Sequence, residues 1–232
     1  MFFQALPAGS KALFKARLQS RMRELAAESG LDEFTMPVAL VLVVDEANGG
    51  DVTAQELVRR FNLLDFESRN LVDFYFLGWL PVDPRDRRRG IRFDLDDFES
   101  CRAALREVGL KPFGGNADLI LLDARYRSAR VGLDFSSAIR IDLSAGKAAD
   151  HFPTLGGFLQ AIIEALEEIR PGDLPAGGDA GVADLSDRLG LGIAKQSLLE
   201  FVLEKWGKVI GAGKLASLAV RDLGPEVNLA AF

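Results

Sequence analysis

Continuous apolar runs alternate with one-sided amphipathic stretches along the first 170 residues of the chain. The run Val38–Val44 consists of valine, leucine and one alanine, which predicts a strand buried on both faces. Further strands are predicted at Leu71–Leu80 and Ala117–Asp123, with a short strand at Ile91–Leu95 and one or two strands over residues 131–143, joined at Ser136-Ser137.

Apolar residues at helical spacing fill the intervals between these strands. Ser10 is a predicted N-cap for a helix over residues 11–28 that ends at Gly30. Thr53–Glu56 has the spacing of a capping box, which predicts the start of a second helix. Two more helices are predicted over about residues 97–108 and from Pro153-Thr154 to Ile169.

Strands that alternate with helices and end in an adjacent strand pair predict an α/β fold. We expect a mixed β-sheet of about five strands with helices on both faces. Reduced to its main elements, this order is similar to the thioredoxin-like topology with an insertion after the second predicted strand. The resemblance implies a Cys-x-x-Cys redox motif between a strand and a helix, but that turn reads DEANGGD, so disulfide chemistry is not expected.

The predicted organisation has four parts. Residues 1–30 form an N-terminal basic amphipathic helix, and residues 31–170 form the α/β core domain. Residues 171–181 contain two Pro and four Gly, which indicates a linker. Residues 182–232 are predicted to be a C-terminal helical tail, whose apolar stripe is Leu199, Leu203, Trp206 and Ile210. Such a stripe needs a partner surface.

Composition restricts the class of protein. The net charge of −6 and pI near 5.0 argue against a general nucleic-acid coat, although residues 1–23 carry five basic and no acidic side chains. The single Cys excludes an intramolecular disulfide. We found no secretion signal or spanning segment, so we expect a cytoplasmic protein, and the Leu, Ala, Arg and Gly usage fits a bacterial source.

Acidic residues at predicted strand ends give the first candidate chemistry. Asp45 and Glu46 follow one strand and Asp123 ends another. Carboxylates gathered at one sheet edge can hold Mg²⁺ and activate water, which would make the chain a metal-dependent phosphoesterase or nuclease. The alternative is that Asp is common wherever a strand turns into a loop, in which case no cofactor is bound.

A cysteine nucleophile is the second candidate. Cys101 and His151 are the only residues of their types, so a Cys–His dyad would have to use them. Cys101 shares a predicted helix face with Phe98 and Leu105, which favours a small core residue instead.

Basic and amphipathic segments give the third candidate. Arg85, Arg87, Arg88 and Arg89 lie in one loop, where guanidinium groups can bind a nucleotide, nucleic acid or an acidic partner. The tail stripe predicts contact with a protein partner, a homo-oligomer or, alternatively, a membrane surface. The function we expect is therefore a non-catalytic α/β binding or regulatory module, acting as an assembly or complex subunit.

Overall fold

The structure is a computed structural model that describes residues 6–60, 72–82, 91–108, 116–148, 154–160, 163, 219–221 and 226–229. Its strands are β1 (Leu6–Ala8), β2 (Glu33–Val43), β3 (Asp73–Leu77), β4 (Trp79–Pro81), β5 (Ile91–Phe93), β6 (Ala117–Arg127), β7 (Arg130–Asp142), β8 (Ala219–Arg221) and β9 (Glu226–Asn228). Its helices are α1 (Lys11–Ser29), α2 (Val52–Arg59), α3 (Leu95–Glu107) and α4 (Leu143–Ala148), and residues 155–160 are also helical.

The predicted mixed sheet is confirmed. Its strands lie in the order β1-β3-β2-β6-β7, and β8 and β9 both pair with the outer edge of β7. The strands β1, β3 and β2 are parallel, whereas β6 is antiparallel to β2 and β7 is antiparallel to β6. Strands β4 and β5 form a separate antiparallel hairpin. The sequence analysis did not predict β1, β8 or β9. Strands β8 and β9 lie within residues 182–232, which it assigned to a helical tail.

Chain direction explains why helices cover both faces. The connection from β1 to β2 carries α1 past the position of β3, and the connection from β2 to β3 carries α2 back again. Two parallel crossovers that run in opposite directions have the same hand only when their helices lie on opposite faces. Accordingly, α1 and α3 pack on the face that contains Leu40 and Tyr75, whereas α2 contacts β2 and α4 on the other.

The helix predicted for residues 11–28 is confirmed as α1, and it docks on the sheet. The Ser10 hydroxyl accepts a hydrogen bond from the Leu13 N–H at 3.1 Å, and Gly30 ends the helix with a φ of 70°. Phe14, Leu18 and Met22 are fully buried in the same core as Cys101 of α3.

Two boundary predictions need correction. Asp51, rather than Thr53, caps α2, because its carboxylate accepts from the Ala54 N–H at 2.8 Å while Thr53 is buried inside the helix. The strand predicted to end at Leu80 stops at Leu77, where Gly78 adopts a φ of 80°.

Residues 131–143 were predicted to form one or two strands, and they form a single strand that runs to Asp142. Leu121 pairs with Ile139 and Asp123 pairs with Asp134, so one residue of β6 faces residues 135–138 of β7. The predicted junction at Ser136-Ser137 falls inside this β-bulge, which accommodates the extra residues without ending the strand.

A buried ion pair connects α1 to β3. The Arg21 Nε donates to Asp73 Oδ2 at 3.3 Å, and the Tyr75 hydroxyl lies 3.5 Å from the same oxygen. Burial raises the pKa of Asp73, and the Arg21 charge opposes that shift without cancelling it. Burial, followed by the Asp73 charge, raises the pKa of Tyr75 well above its ordinary value. The Phe14 ring meets Tyr75 edge-on at 5.2 Å between centroids.

Glycine 78 is a position where a side chain would strain the fold. A Cβ added there would lie 2.5 Å from Phe98 Cβ and 2.9 Å from Phe98 Cα. We expect Gly78→Ala to lower the free energy of unfolding by about 2–4 kcal/mol, because the backbone strain of about 1–2 kcal/mol adds to overpacking. Gly30→Ala is the matched control, since Gly30 also has positive φ but nothing lies within 4 Å of its Cβ position. Urea unfolding of both variants measures the difference, and equal losses would contradict the steric explanation.

The raised pKa of Asp73 predicts an unusual pH dependence of the free energy of unfolding. Because the pKa of Asp73 is higher in the folded chain than its ordinary value near 3.8, the folded state holds this proton more tightly than the unfolded state does. Protonation of Asp73 therefore stabilises the fold. This contribution is complete below about pH 3.8 and is lost as the pH rises through the raised pKa of Asp73. Wild-type stability relative to Asp73→Asn should fall between pH 3.5 and 7 in urea unfolding; a constant or rising difference would refute this sign.

Candidate functional site

The carboxyl ends of β1, β3 and β2 meet at one edge of the sheet, where open α/β proteins usually bind ligands. Three pieces of chain line this edge: the turn at residues 44–51, the β4–β5 hairpin and the first turn of α3. We call these three pieces the rim. The antiparallel strands also reach it, because β6 begins and β7 ends beside them.

Backbone hydrogen bonds close the turn of the rim. The Asp45 carbonyl accepts from the N–H groups of Asn48 at 3.0 Å and Gly50 at 2.8 Å. A Cβ at Gly50 would lie 2.1 Å from the Val44 carbonyl oxygen, so the turn requires glycine there. Glu46 is exposed and Asp45 is half-buried. The turn is thus a compact acidic corner that leads directly into α2.

The hairpin is fixed to the main sheet by hydrogen bonds and aromatic contacts. The Trp79 indole N–H donates to the Val43 carbonyl at 3.0 Å, and the Gly78 carbonyl accepts from the Asp94 N–H at 2.8 Å. Trp79, Phe93 and Phe98 form a chain of rings with centroids 5.3 and 5.2 Å apart. These contacts hold the hairpin base and the start of α3 together.

Acidic residues surround the start of α3. The Asp94 carboxylate accepts from the Asp97 N–H at 3.1 Å and lies 3.6 Å from the Arg92 guanidinium. Burial is the main cause that raises the pKa of Asp97, and the neighbouring Asp94 and Asp96 charges add to it. Negative charge at a helix N-terminus is stabilising, so these carboxylates have a structural role in starting α3.

The three carboxylates predicted to share Mg²⁺ do not converge. Asp45 and Glu46 lie at the rim, but Asp123 pairs with Pro37 on the antiparallel strand β6. The Pro37–Asp123 pair lies six steps along the strand from the Val43–Ala117 pair at the rim, which is about 20 Å at ~3.3 Å per step. Among the residues that the structure describes, no group of three or more His, Cys, Asp or Glu side chains is placed to hold a metal ion.

Asp123 instead belongs to a buried ionic cluster. It lies opposite Asp134 on β7, and both carboxylates are almost fully buried. The Arg125 Nη2 donates to Asp134 Oδ2 at 2.5 Å. Two carboxylates on directly opposite residues repel each other, so the arginine compensates a charge that the sheet interior would otherwise disfavour. The sequence analysis missed Arg125 and Asp134, since their pairing depends on the register beyond the bulge.

Cys101 is a core residue in the structure. Its side chain is fully buried and its Sγ lies 3.9 Å from the Gly9 carbonyl oxygen. Burial raises the pKa of the thiol to about 12, and the Asp97 charge contributes to the same shift. The thiolate that a nucleophile requires is therefore strongly disfavoured near neutral pH. His151, the other half of the predicted dyad, lies outside the described residues.

Two predicted contact segments also lie outside the described residues. These are the arginine loop, Arg85 to Arg89, and the tail stripe, Leu199 to Ile210. The flanking strand residues are nevertheless placed, because Pro81 pairs with Ile91 at the loop end of the β4–β5 hairpin. The loop therefore connects two strands of the rim.

Exposed apolar side chains occur in or beside the segments that line this edge. In the described part of the chain, the large hydrophobic residues that are exposed are Val52, Val82 and Leu95, at 73%, 53% and 47% exposure. Val52 directly follows the turn of the rim and begins α2, Val82 follows β4, and Leu95 begins α3. Within the described residues, no helix is long and apolar enough to cross a membrane.

Comparison of the chain with protein-family models, with curated proteins and with solved structures finds no match in any of the three.

The buried thiol predicts slow chemical modification. Native protein at pH 8 should react with a thiol-specific reagent at least about 100-fold more slowly than urea-unfolded protein, because burial and the raised pKa both suppress the thiolate. The reaction can be followed without ambiguity because the chain contains one cysteine. Labelling of the native protein as fast as that of the unfolded chain would contradict the core position and restore Cys101 as a candidate nucleophile.

Proposed function

We propose that the chain is a non-catalytic binding or regulatory module of the cytoplasm that acts through protein–protein contacts within an assembly. The rim is its principal contact surface, and the arginine loop and the tail stripe are additional contacts. The partner that fits these features is a protein with an apolar patch bordered by acidic residues.

The observation that carries this proposal is that Val52, Val82 and Leu95, which are exposed apolar residues, all occur in or beside the rim. Exposed apolar residues scattered singly over a surface need no explanation. Here each comes from a separate segment, and all occur in or beside the segments that line the edge where α/β domains usually bind ligands. Apolar side chains at such an edge favour contact with a protein, whereas a phosphoesterase would require converging carboxylates.

The scaffold that we propose for this module is similar to the thioredoxin-like topology. The order β1-β3-β2-β6-β7, with three parallel strands followed by an antiparallel pair, supports that description. The turn that would hold the redox motif is residues 44–51, which contain no cysteine. Buried Cys101 lies on α3. The proposal is therefore a scaffold that uses its ligand edge for binding without disulfide exchange.

The end of the chain restricts how the tail can be tested. Strands β8 and β9 pair with β7, and Leu229 is fully buried in the core. Truncation at Gly181 would remove these elements and destabilise the sheet edge, so loss of a partner would have two explanations. Substitutions within the stripe, such as Leu203→Ser with Trp206→Ser, leave β8, β9 and Leu229 in place.

The rim is tested by replacing its apolar side chains with serine in the variant V52S/V82S/L95S. Each position is exposed, so we expect each replacement to change the free energy of unfolding by about 0.5 kcal/mol or less. Retention of the partner by the tagged full-length protein should fall at least tenfold, since apolar contacts at an interface centre dominate binding. Quantitative affinity purification from the native cell, with urea unfolding of the same preparations, measures both quantities.

R127S/R130S serves as the control variant, because both arginines are exposed in the β6–β7 turn at the opposite end of the sheet. The arginine loop is tested with the variant R88S/R89S, which removes two positive charges from that loop. The control variant makes the same two replacements of arginine by serine. If the rim variant, the arginine-loop variant and the stripe variant all retain partners as the control does, the binding proposal is wrong.

A further inference from the structure

The outer edge of β7 is covered by the end of the chain itself. We call the covering residues the strap: β8, β9 and Leu229. β8 pairs with residues 139–141 of β7 and β9 pairs with residues 132–134. The two contacts therefore flank the bulge at residues 135–138, and each consists of three residue pairs. An edge of this kind would otherwise present unpaired backbone groups to any extended peptide.

Leu229 is the anchor of the strap. It is fully buried in the core that contains Val131, Leu133 and Phe135, and its N–H donates to the Val131 carbonyl at 2.9 Å. A short segment thus combines backbone pairing along a sheet edge with one apolar anchor, which is the usual composition of an added β-strand.

The covalent connection between core and strap is long. Residues 164–218, about 55 residues, separate Ile163 from Ala219. The entropic cost of closing a connection rises with its length, so closing the contact within one chain is less favoured over 55 residues than over a short loop. The β7 edge of a second copy offers the strap the same partners at the same register. Exchange between copies would preserve every strap contact described above.

We propose that the β7 edge is a strand-exchange surface, on which the strap of a second copy of the chain can replace the strap of its own. The exchanged complex is held by the register pairs of β7 with β8 and β9 and by insertion of Leu229 beneath the partner's β7. This proposal uses the β7 edge and does not depend on the rim, the arginine loop or the tail stripe.

The pairing can be trapped by a disulfide between Gly132 and Asn228, which face each other in the register of β7 and β9. The neighbouring Val131–Leu229 pair carries the backbone hydrogen bond, so the Gly132–Asn228 pair is of the non-hydrogen-bonded type with a Cα separation of about 4.5 Å. That separation lies within the disulfide range of about 4.4–6.8 Å. G132C and N228C are made in separate full-length chains that carry tags of different size.

The two chains are unfolded together and refolded under reducing conditions at total protein concentrations from about 10 to about 100 μM, and they are then oxidised. We expect a disulfide-linked heterodimer whose yield rises about tenfold over this range, because the exchanged state competes with a fixed intramolecular effective concentration. The control replaces G132C with R130C, which is diagonal to Asn228 at about 7–8 Å and too far to form the disulfide.

The double variant G132C/N228C in one chain reports the intramolecular contact. Efficient disulfide formation within that chain, without any heterodimer from the two single variants, would overturn the proposal and show that the strap is a permanent part of its own sheet. Failure of the double variant to form the disulfide would overturn it as well, since the strap would then not occupy β7. Equal heterodimer yields with G132C and R130C would indicate association through another surface and reject strand exchange.

Shortening the connection provides a second measurement. Deletion of residues 182–210 should lower the heterodimer yield about threefold, because a shorter connection raises the effective concentration of the strap at the β7 edge of its own chain. The deletion also removes the tail stripe, so a dimer formed through that stripe would disappear completely. An unchanged or higher yield, or a complete loss, would reject strand exchange, whereas the rim proposal is tested by its own variants.

Discussion

The fold depends on the burial of β2 at the centre of the sheet. All side chains from Val38 to Val43 are buried, with β3 paired on one side and β6 on the other. Helices cover both faces, so this strand loses its interior partners if either layer is removed. The strand is also where the sheet changes from parallel to antiparallel pairing. That change determines which segments reach the rim and which end at the opposite edge.

The functional consequence concerns the carboxylates. If β6 ran parallel to β2, Asp45 and Glu46 would share an edge with Asp123, the acid at the end of the apolar run of β6. Because β6 runs in the opposite direction, Asp123 lies about 20 Å from the rim, at ~3.3 Å per strand residue. It pairs there with Asp134, whose charge Arg125 compensates. The rim is left with helix-capping acids, a closed turn and exposed apolar residues, a combination better suited to contact than to metal-assisted hydrolysis.

The end of the chain has a different relation to the core than its beginning. At the beginning, α1 is held by an N-cap, three buried side chains and the Arg21–Asp73 ion pair. At the end, two three-residue strands and Leu229 complete the sheet after a long connection. Both termini contribute to one core. The terminal strap has few backbone pairs, and it is the segment that we propose to exchange between copies.

Local patterns were sufficient where local forces decide the outcome. The helix over residues 11–28 and its caps were predicted because Ser10, the apolar stripe and Gly30 act within one element. The buried strands at Val38 and Ala117 were predicted because an uninterrupted apolar run requires cover on both faces. The core position of Cys101, which the sequence favoured over a nucleophile, also followed from the helical spacing of its neighbours.

Long-range pairing decided the rest. Strand direction is not encoded in the composition of an apolar run, so the separation of Asp123 from Asp45 appeared only in the tertiary structure. The bulge that sets Asp134 opposite Asp123, and the pairing of β8 and β9 with β7, depend on register between distant segments. Gly78 was predicted to lie within a strand, and only the tertiary structure shows its positive φ and its contact with Phe98. The sequence by itself determined which segments must be buried, since the free energy of transferring an apolar side chain out of water depends on that side chain alone. The tertiary structure determined which buried segments meet, because pairing partners are chosen by the whole sheet.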